Sequence, residues 1–231
     1  MVIKIIFLSL FGGLLCLDRV LIQTMISRPI IIAPVIGFFL NNLYAGLIIG
    51  AMIELFWIDR VPIGIYVPPN DSIAAVIAVS LAIIAGQQLG NVSKQMIALS
   101  ILISVPFALL ARIMDTKIIE SNNILSDQAL ENAKKLDIRG IERKMYRALG
   151  KVISFYVIYL FGALIVLIPL LIWIYPKLPK PVETTLLLIY YFIPLLGIAA
   201  AINTIKLRGA ITVFCAIFLA VVVTLEFFHV F

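Results

Sequence analysis

Long apolar segments alternate with short polar breaks along this chain, at roughly 5–17, 29–58, 61–93, 95–111, 152–176, 184–205 and 209–228. Crossing the hydrocarbon of a bilayer takes about 20 helical residues, so the last three segments predict ordinary transmembrane helices. The first half does not read that way. The segment 29–58 would overshoot the hydrocarbon as one straight helix, and Gly37, Asn41, Asn42, Gly46 and Gly50 punctuate it. That pattern predicts broken, re-entrant helices. The expected fold is all-α: a polytopic membrane protein with broken or re-entrant helices in its N-terminal half.

Residues 112–151 change the picture. They hold nine of the chain's eighteen Lys and Arg residues and six of its twelve Asp and Glu residues. Leu130, Ala133, Ile141, Met145 and Leu149 recur there at near-helical spacing, which predicts an amphipathic helix against the membrane or a partner. Its basic excess predicts a cytoplasmic location. Three regions follow: 1–111 with broken helices, 112–151 as the amphipathic segment, and 152–231 with the C-terminal spans. Lys206 to Arg208 then return to the cytoplasm, and the C-terminus lies outside.

Composition narrows the function classes. The 231 residues are 63% apolar and 13% charged, with mean hydropathy +1.16. Soluble domains carry about a quarter charged residues, so this balance excludes a water-soluble globule, a disordered chain and a nucleic-acid-binding module. Cys16 and Cys215 sit in apolar runs at opposite ends of the chain and support neither a disulfide framework nor a thiolate metal site. Lys4 and the apolar stretch after it imitate a signal peptide, but no small residue precedes Cys16, so the N-terminus is read as mature sequence.

Candidate chemistry lies in polar residues set within apolar sequence: Asp18, Arg19, Gln23, Arg28, Glu54, Asp59, Arg60, Asn70 and Asp71. An ionised group at mid-bilayer costs about 2.5–3.5 kcal/mol on insertion scales, so such groups persist where they are paired, hydrated or useful. Glu54 follows Gly50 by four residues and Gly46 by eight, which puts all three on nearly one helix face. Two readings stay open. The glycines leave a crevice into which the carboxylate points, or they let a second helix approach while Glu54 pairs with an arginine. Pro68 and Pro69 remove two backbone donors, so the turn through Asn70 and Asp71 is expected to be extended and buried in protein or facing water. Amide and carboxylate groups on such a turn can bond sugar hydroxyls in pairs. The bland reading of Asp18/Arg19 and Asp59/Arg60 is that they mark membrane boundaries, with Arg28 snorkelling.

These residues carry a resemblance. Asp18-Arg19, Gln23 to Pro29, Ala33-Pro34, Gly37, Gly46, Gly50 and Glu54, then Pro62-Ile63-Gly64, Pro68-Pro69-Asn70 and Ala74-Ala75, resemble the IIC membrane subunit of the mannose/fructose/sorbose phosphotransferase systems. The match in order and spacing runs from Leu17 to Ala75, and beyond it only hydropathy agrees. Arg28 stands where familiar members tend to have Gln, and Asn41-Asn42 where they have Gly-Asp. Asp59 and Arg60 add charge in a region that is usually less charged.

The resemblance implies a sugar-translocating subunit of a bacterial inner-membrane, oligomeric complex. It would work with a second membrane protein, IID, and with a cytoplasmic IIA/IIB pair that relays phosphate from phosphoenolpyruvate, IIB phosphorylating the incoming hexose. No catalytic residue, cofactor or metal is expected on this chain: the sole histidine, His229, is third from the end, and neither cysteine has an activating neighbour. Gln23, Glu54, Asn70 and Asp71 are the expected substrate-binding residues near the bilayer midplane, with Asp18 and Arg28 supporting the cavity. Alternatives are a divergent sugar or ion-coupled permease, protonating Asp18, Glu54 and Asp71, or a membrane scaffold or sensor.

Overall fold

A computed structural model describes residues 1–60, 66–204 and 210–227, and among these the regular structure is entirely helical. Pro62-Ile63-Gly64, Lys206 to Arg208 and His229 lie outside the described residues. Eight α-helices follow one another: α1 Val2–Leu17, α2 Pro29–Phe39, α3 Leu43–Phe56, α4 Asp71–Leu89, α5 Lys94–Lys134, α6 Ile138–Ile174, α7 Lys180–Thr204 and α8 Ala210–Phe227. Helices α4 to α7 are each long and apolar enough to cross a membrane.

Helix α4 is the centre of the molecule. Every residue from Ser72 to Gly86 is buried, because α1, α2, α3, α5 and α6 all pack around it. Its alanines, Ala74, Ala75, Ala78, Ala82 and Ala85, let those neighbours come close. A helix that is apolar on all sides belongs inside, and this one is.

The segment 29–58 is a helical hairpin, not a span. Helix α2 starts at Pro29, a residue suited to the first turn, and ends at Phe39; α3 returns from Leu43. At 11 and 14 residues these helices rise about 17 and 21 Å, well short of the ~30 Å hydrocarbon. The pair therefore enters and leaves by the same end of the bundle. Asn41 makes the reversal in a left-handed conformation, φ 58°, and Asn42 caps α3 by accepting from the Ala45 amide at 3.0 Å. The Gln87 amide near the end of α4 donates to the Leu40 carbonyl at 2.6 Å and anchors the tip. Gly-Asp would serve the same two roles, since glycine is at ease at positive φ and Asp caps as well as Asn. The departure at Asn41-Asn42 thus leaves the turn unchanged in kind.

Residues 112–151 form the distal arms of α5 and α6 and the turn between them, and positions 111 and 152 both fall inside helices. With 41 and 37 residues, these two helices are about 60 and 55 Å long, twice the hydrocarbon thickness. Their polar ends meet in a turn where Leu136 takes φ 56° and the Asp137 side chain caps α6 by accepting from the Gly140 amide at 3.0 Å. Lys151 donates to Ser121 across the arms at 2.8 Å. Leu130 and Met145, expected on a face against the membrane or a partner, are 58% and 50% exposed in the single chain.

Candidate functional site

The loop between α1 and α2 is folded around one carboxylate. Asp18 accepts from the Thr24 amide at 2.9 Å and the Thr24 hydroxyl at 2.6 Å, and from the Ser27 amide and hydroxyl at 3.3 and 3.4 Å. Its own carbonyl accepts from the Gln23 amide at 2.8 Å, and Gln23 and Met25 both adopt positive φ, 59° and 67°. These bonds fold residues 18–28 into a compact wall around the Asp18 carboxylate.

That wall closes one side of a cavity of about 630 Å3. Asp18, Arg19, Gln23, Ser27 and Arg28 contribute from the loop, and Tyr66, Val67 and Pro68 from the stretch before α4. Helix α5 adds Asp115, Ile118, Ile119 and Asn122, and α6 adds Val152 and Tyr156. The size is that of a small-molecule site, and such sites combine apolar walls with a few convergent polar groups in this way. On α5 all four lining residues lie beyond the apolar run that ends at 111, and on α6 the two lie at the start of the apolar run that begins at 152. The cavity therefore sits toward the end of the bundle from which the α5–α6 hairpin emerges. Its polar lining comes from the loop together with Tyr66, Asp115, Asn122 and Tyr156.

The expected binding and cavity-supporting residues divide into two groups. Gln23, Asp18 and Arg28 line the cavity directly; Glu54, Asn70 and Asp71 do not, but each grips a residue that does. Glu54 Oε1 is 2.8 Å from Arg28 Nη1, and its other oxygen accepts from the Ile30 amide at 3.4 Å, in the first turn of α2. Asp71 Oδ1 is 2.6 Å from Arg19 Nη1. Asn70 is fully buried: its amide nitrogen donates to Asp115 at 2.8 Å, its side-chain oxygen caps α4 by accepting from the Ile73 amide at 3.1 Å, and its backbone N–H donates to the Ala108 carbonyl at 3.2 Å.

The open choice at the Gly46, Gly50 and Glu54 face is resolved in favour of helix contact. A methyl on Gly46 would lie 2.5 Å from the Ala33 carbonyl oxygen, and one on Gly50 would strike the Pro29 carbonyl, so that face is filled by α2. Glu54 at its end pairs with an arginine. The stretch 66–70 is non-helical, with Pro68, Pro69 and Asn70 buried in protein, as two adjacent prolines require.

Asp59 and Arg60 pair with each other at 3.3 Å, and Arg60 also donates to the Tyr66 hydroxyl at 3.5 Å. Arg112 stacks on the Tyr66 ring, 5.2 Å from its centroid. Sequence reasoning missed Asp115, Asn122, Tyr66 and Tyr156. Asp115 was grouped with the polar segment; the signal that could have found it is that it closes the apolar run of α5 only four residues after Ala111, on a helix that continues. Asn122 has a buried side-chain oxygen with no hydrogen-bond partner, as do the Ser80 and Ser100 hydroxyls away from the cavity.

A bundle of apolar helices with a re-entrant hairpin and a polar cavity at one end defines a polytopic α-helical membrane protein. The chain belongs to the family described as the PTS system sorbose-specific IIC component, whose model matches residues 2–230. It is 30% identical over 79 residues to the putative N-acetylgalactosamine permease IIC component 2 of Escherichia coli strain K12, covering 34% of this chain and 53% of that protein. It is 26% identical over 170 residues to the fructose permease IIC component of Bacillus subtilis strain 168, covering 74% and 56%. It is 26% identical over 148 residues to the sorbose-specific EIIC component of Klebsiella pneumoniae, covering 64% and 53%. The chain thus spans about half the length of the curated relatives it matches. Two solved structures share the fold at 19% identity, each covering 94% of this chain and 84% of the other: one described as a membrane protein, TM-score 0.72, and a cryo-electron-microscopy structure of the mannose transporter ManYZ with microcin E492, TM-score 0.61.

Proposed function

We propose that this chain is the sugar-translocating IIC subunit of a phosphoenolpyruvate-dependent phosphotransferase system of the mannose type in the bacterial inner membrane. A hexose or related sugar occupies the 630 Å3 cavity, and a separate IIB subunit phosphorylates it as it leaves. The observation that carries the reading is the cavity wall itself: Arg19 and Arg28, on a loop organised by Asp18, each held by a carboxylate from another helix. Clamped guanidiniums present donors in fixed directions, and Gln23, Asp115 and Asn122 add donors and acceptors, which suits a polyhydroxylated ligand. Glu54, Asn70 and Asp71 then act on the sugar through Arg28, Asp115 and Arg19.

Location supports the coupling to phosphorylation. Membrane proteins carry their Lys and Arg excess on cytoplasmic segments, so the α5–α6 hairpin, and with it the cavity, faces the cytoplasm, where a soluble IIB would meet the sugar. The hairpin is the proposed docking surface for IIB, and IID is the proposed membrane partner. The test is uptake of radiolabelled hexoses by cells carrying the chain with its IIA, IIB and IID partners. Uptake that requires phosphoenolpyruvate and yields sugar phosphate supports the reading. Uptake that follows a proton gradient and yields free sugar would replace it with the ion-coupled permease, for which Asp115, a buried carboxylate in the cavity wall, is the natural proton site.

A further inference from the structure

A second cavity, of about 440 Å3, lies between α3, α7 and α8. Its walls are apolar. Ile48, Met52 and Leu55 repeat at helical spacing down one face of α3, opposite Ile198 of α7 and Val221 of α8. At the hairpin end the walls converge, because Gly197 approaches so closely that a methyl there would strike the backbone of Leu55. The other end is different in character. Tyr44, Tyr190 and Tyr191 stand at that mouth, and Lys94, the exposed first residue of α5, donates from Nζ to the Tyr191 hydroxyl at 2.6 Å and lies 5.0 Å over its ring. Among the described residues no carboxylate pairs with Lys94.

The shape is an open slot with an oily interior, a close α3–α7 contact at Gly197 and Leu55, and tyrosines around a cation at the other end. Tyrosine rings gather at the level of lipid head groups, and a lysine there attracts anionic ones. A flexible methylene chain fills such a slot, and its burial contributes about 0.8 kcal/mol per CH2 when the alternative is water. In a bilayer that term vanishes, which leaves the head group to decide occupancy. We propose that this crevice holds one acyl chain of an anionic phospholipid whose phosphate sits on Lys94 among the mouth tyrosines. The site is independent of the sugar cavity and of its reading.

The test uses the whole purified protein in neutral detergent, supplemented with equal amounts of phosphatidylglycerol and phosphatidylcholine and examined by native mass spectrometry. One basic residue near the head group predicts retention of phosphatidylglycerol over phosphatidylcholine by about fivefold. Lys94→Gln should bring that ratio close to one, while Arg139→Gln with Arg143→Gln, on the hairpin, should leave it unchanged. Ala51→Trp, aimed into the slot, should remove the retained lipid whatever its head group. Size exclusion reports whether each variant is folded, and Lys94→Gln decides the question should Ala51→Trp fail to fold. Undiminished preference in Lys94→Gln overturns the proposal. So does a photo-crosslink from Ile198 to a helix of a partner protein with no lipid retained, which would assign the slot to a protein contact.

Discussion

Arg28 reaches from the residue before α2 to Glu54 near the end of α3, with 2.8 Å between Nη1 and Oε1, and so ties together the two ends of the re-entrant hairpin at the edge of the polar cavity. Both side chains are partly exposed, at 43% and 22%, so the pair contributes no more than about 0–1 kcal/mol to stability. Its proposed value is in position rather than in energy.

Glu54→Gln should therefore lower hexose uptake at least tenfold while membrane expression and melting temperature stay near those of the parent. A double change, Arg28→Gln with Glu54→Gln, should be no worse than the single change, since both remove one unit. Uptake assays with expression measured in parallel check this. Full uptake in Glu54→Gln would remove the pair from the site.

Asn70→Ala should act first on folding. It removes a helix cap, about 0.5–2 kcal/mol, and the donor to a buried carboxylate, about 1–3 kcal/mol, so a loss of roughly 2–4 kcal/mol is expected. Asp115→Asn should be much milder, because an amide can turn to keep one bond to Asn70. Thermal unfolding followed by fluorescence-detected size exclusion separates the two. Equal melting temperatures for parent and Asn70→Ala would show that the buried bonds do not hold α4 in place.

Gly46→Leu and Gly50→Leu should both disrupt the hairpin, because each drives a side chain into the backbone of α2. Forced overpacking costs about 1–3 kcal/mol, and a backbone obstacle puts these variants at the upper end. Gly162→Leu, where an added side chain meets nothing within 4 Å, is the control and should melt like the parent. Similar melting for all three would show that α2 and α3 do not pack through these glycines.

Asn41→Gly with Asn42→Asp should be nearly neutral in stability, whereas Asn41→Val should lose roughly 1–2 kcal/mol, because a β-branched residue resists positive φ. Differential scanning fluorimetry in detergent distinguishes these outcomes. A stable Asn41→Val protein would mean that the tip does not turn through a left-handed residue.

Reversing charge at Arg139, Arg143 and Arg147 should leave stability within about 0.5 kcal/mol, since these side chains are exposed on the hairpin. Binding of the proposed soluble IIB partner to membranes should fall sharply. Unchanged co-sedimentation would return the basic arm to a simple role in topology.

Much of the fold was legible because a bilayer leaves few options. The glycines and asparagines of 29–58 announced a break, and Pro68-Pro69 a buried non-helical turn, since each residue type constrains its own backbone. What was not legible depends on who meets whom. Glu54 and Asn70 looked like ligand contacts because buried polar groups need partners; that those partners would be Arg28 and Asp115, 26 and 45 residues away, is set by helix packing that one sequence does not spell out. The length of α5 and α6 was not legible for a related reason. Charge density marked where the chain leaves the oily layer, but a helix does not end when its surroundings change, and α5 and α6 simply continue.

Helix α4 has no face of its own, and that sets how this chain can evolve. Five neighbours rest on its small side chains, so one added methyl is felt by several helices at once. Change there has to be concerted with change in the surrounding bundle, while the outward sides of α1, α3 and α8 are free to drift one residue at a time. Distant kin should differ least along the axle and most along the rim.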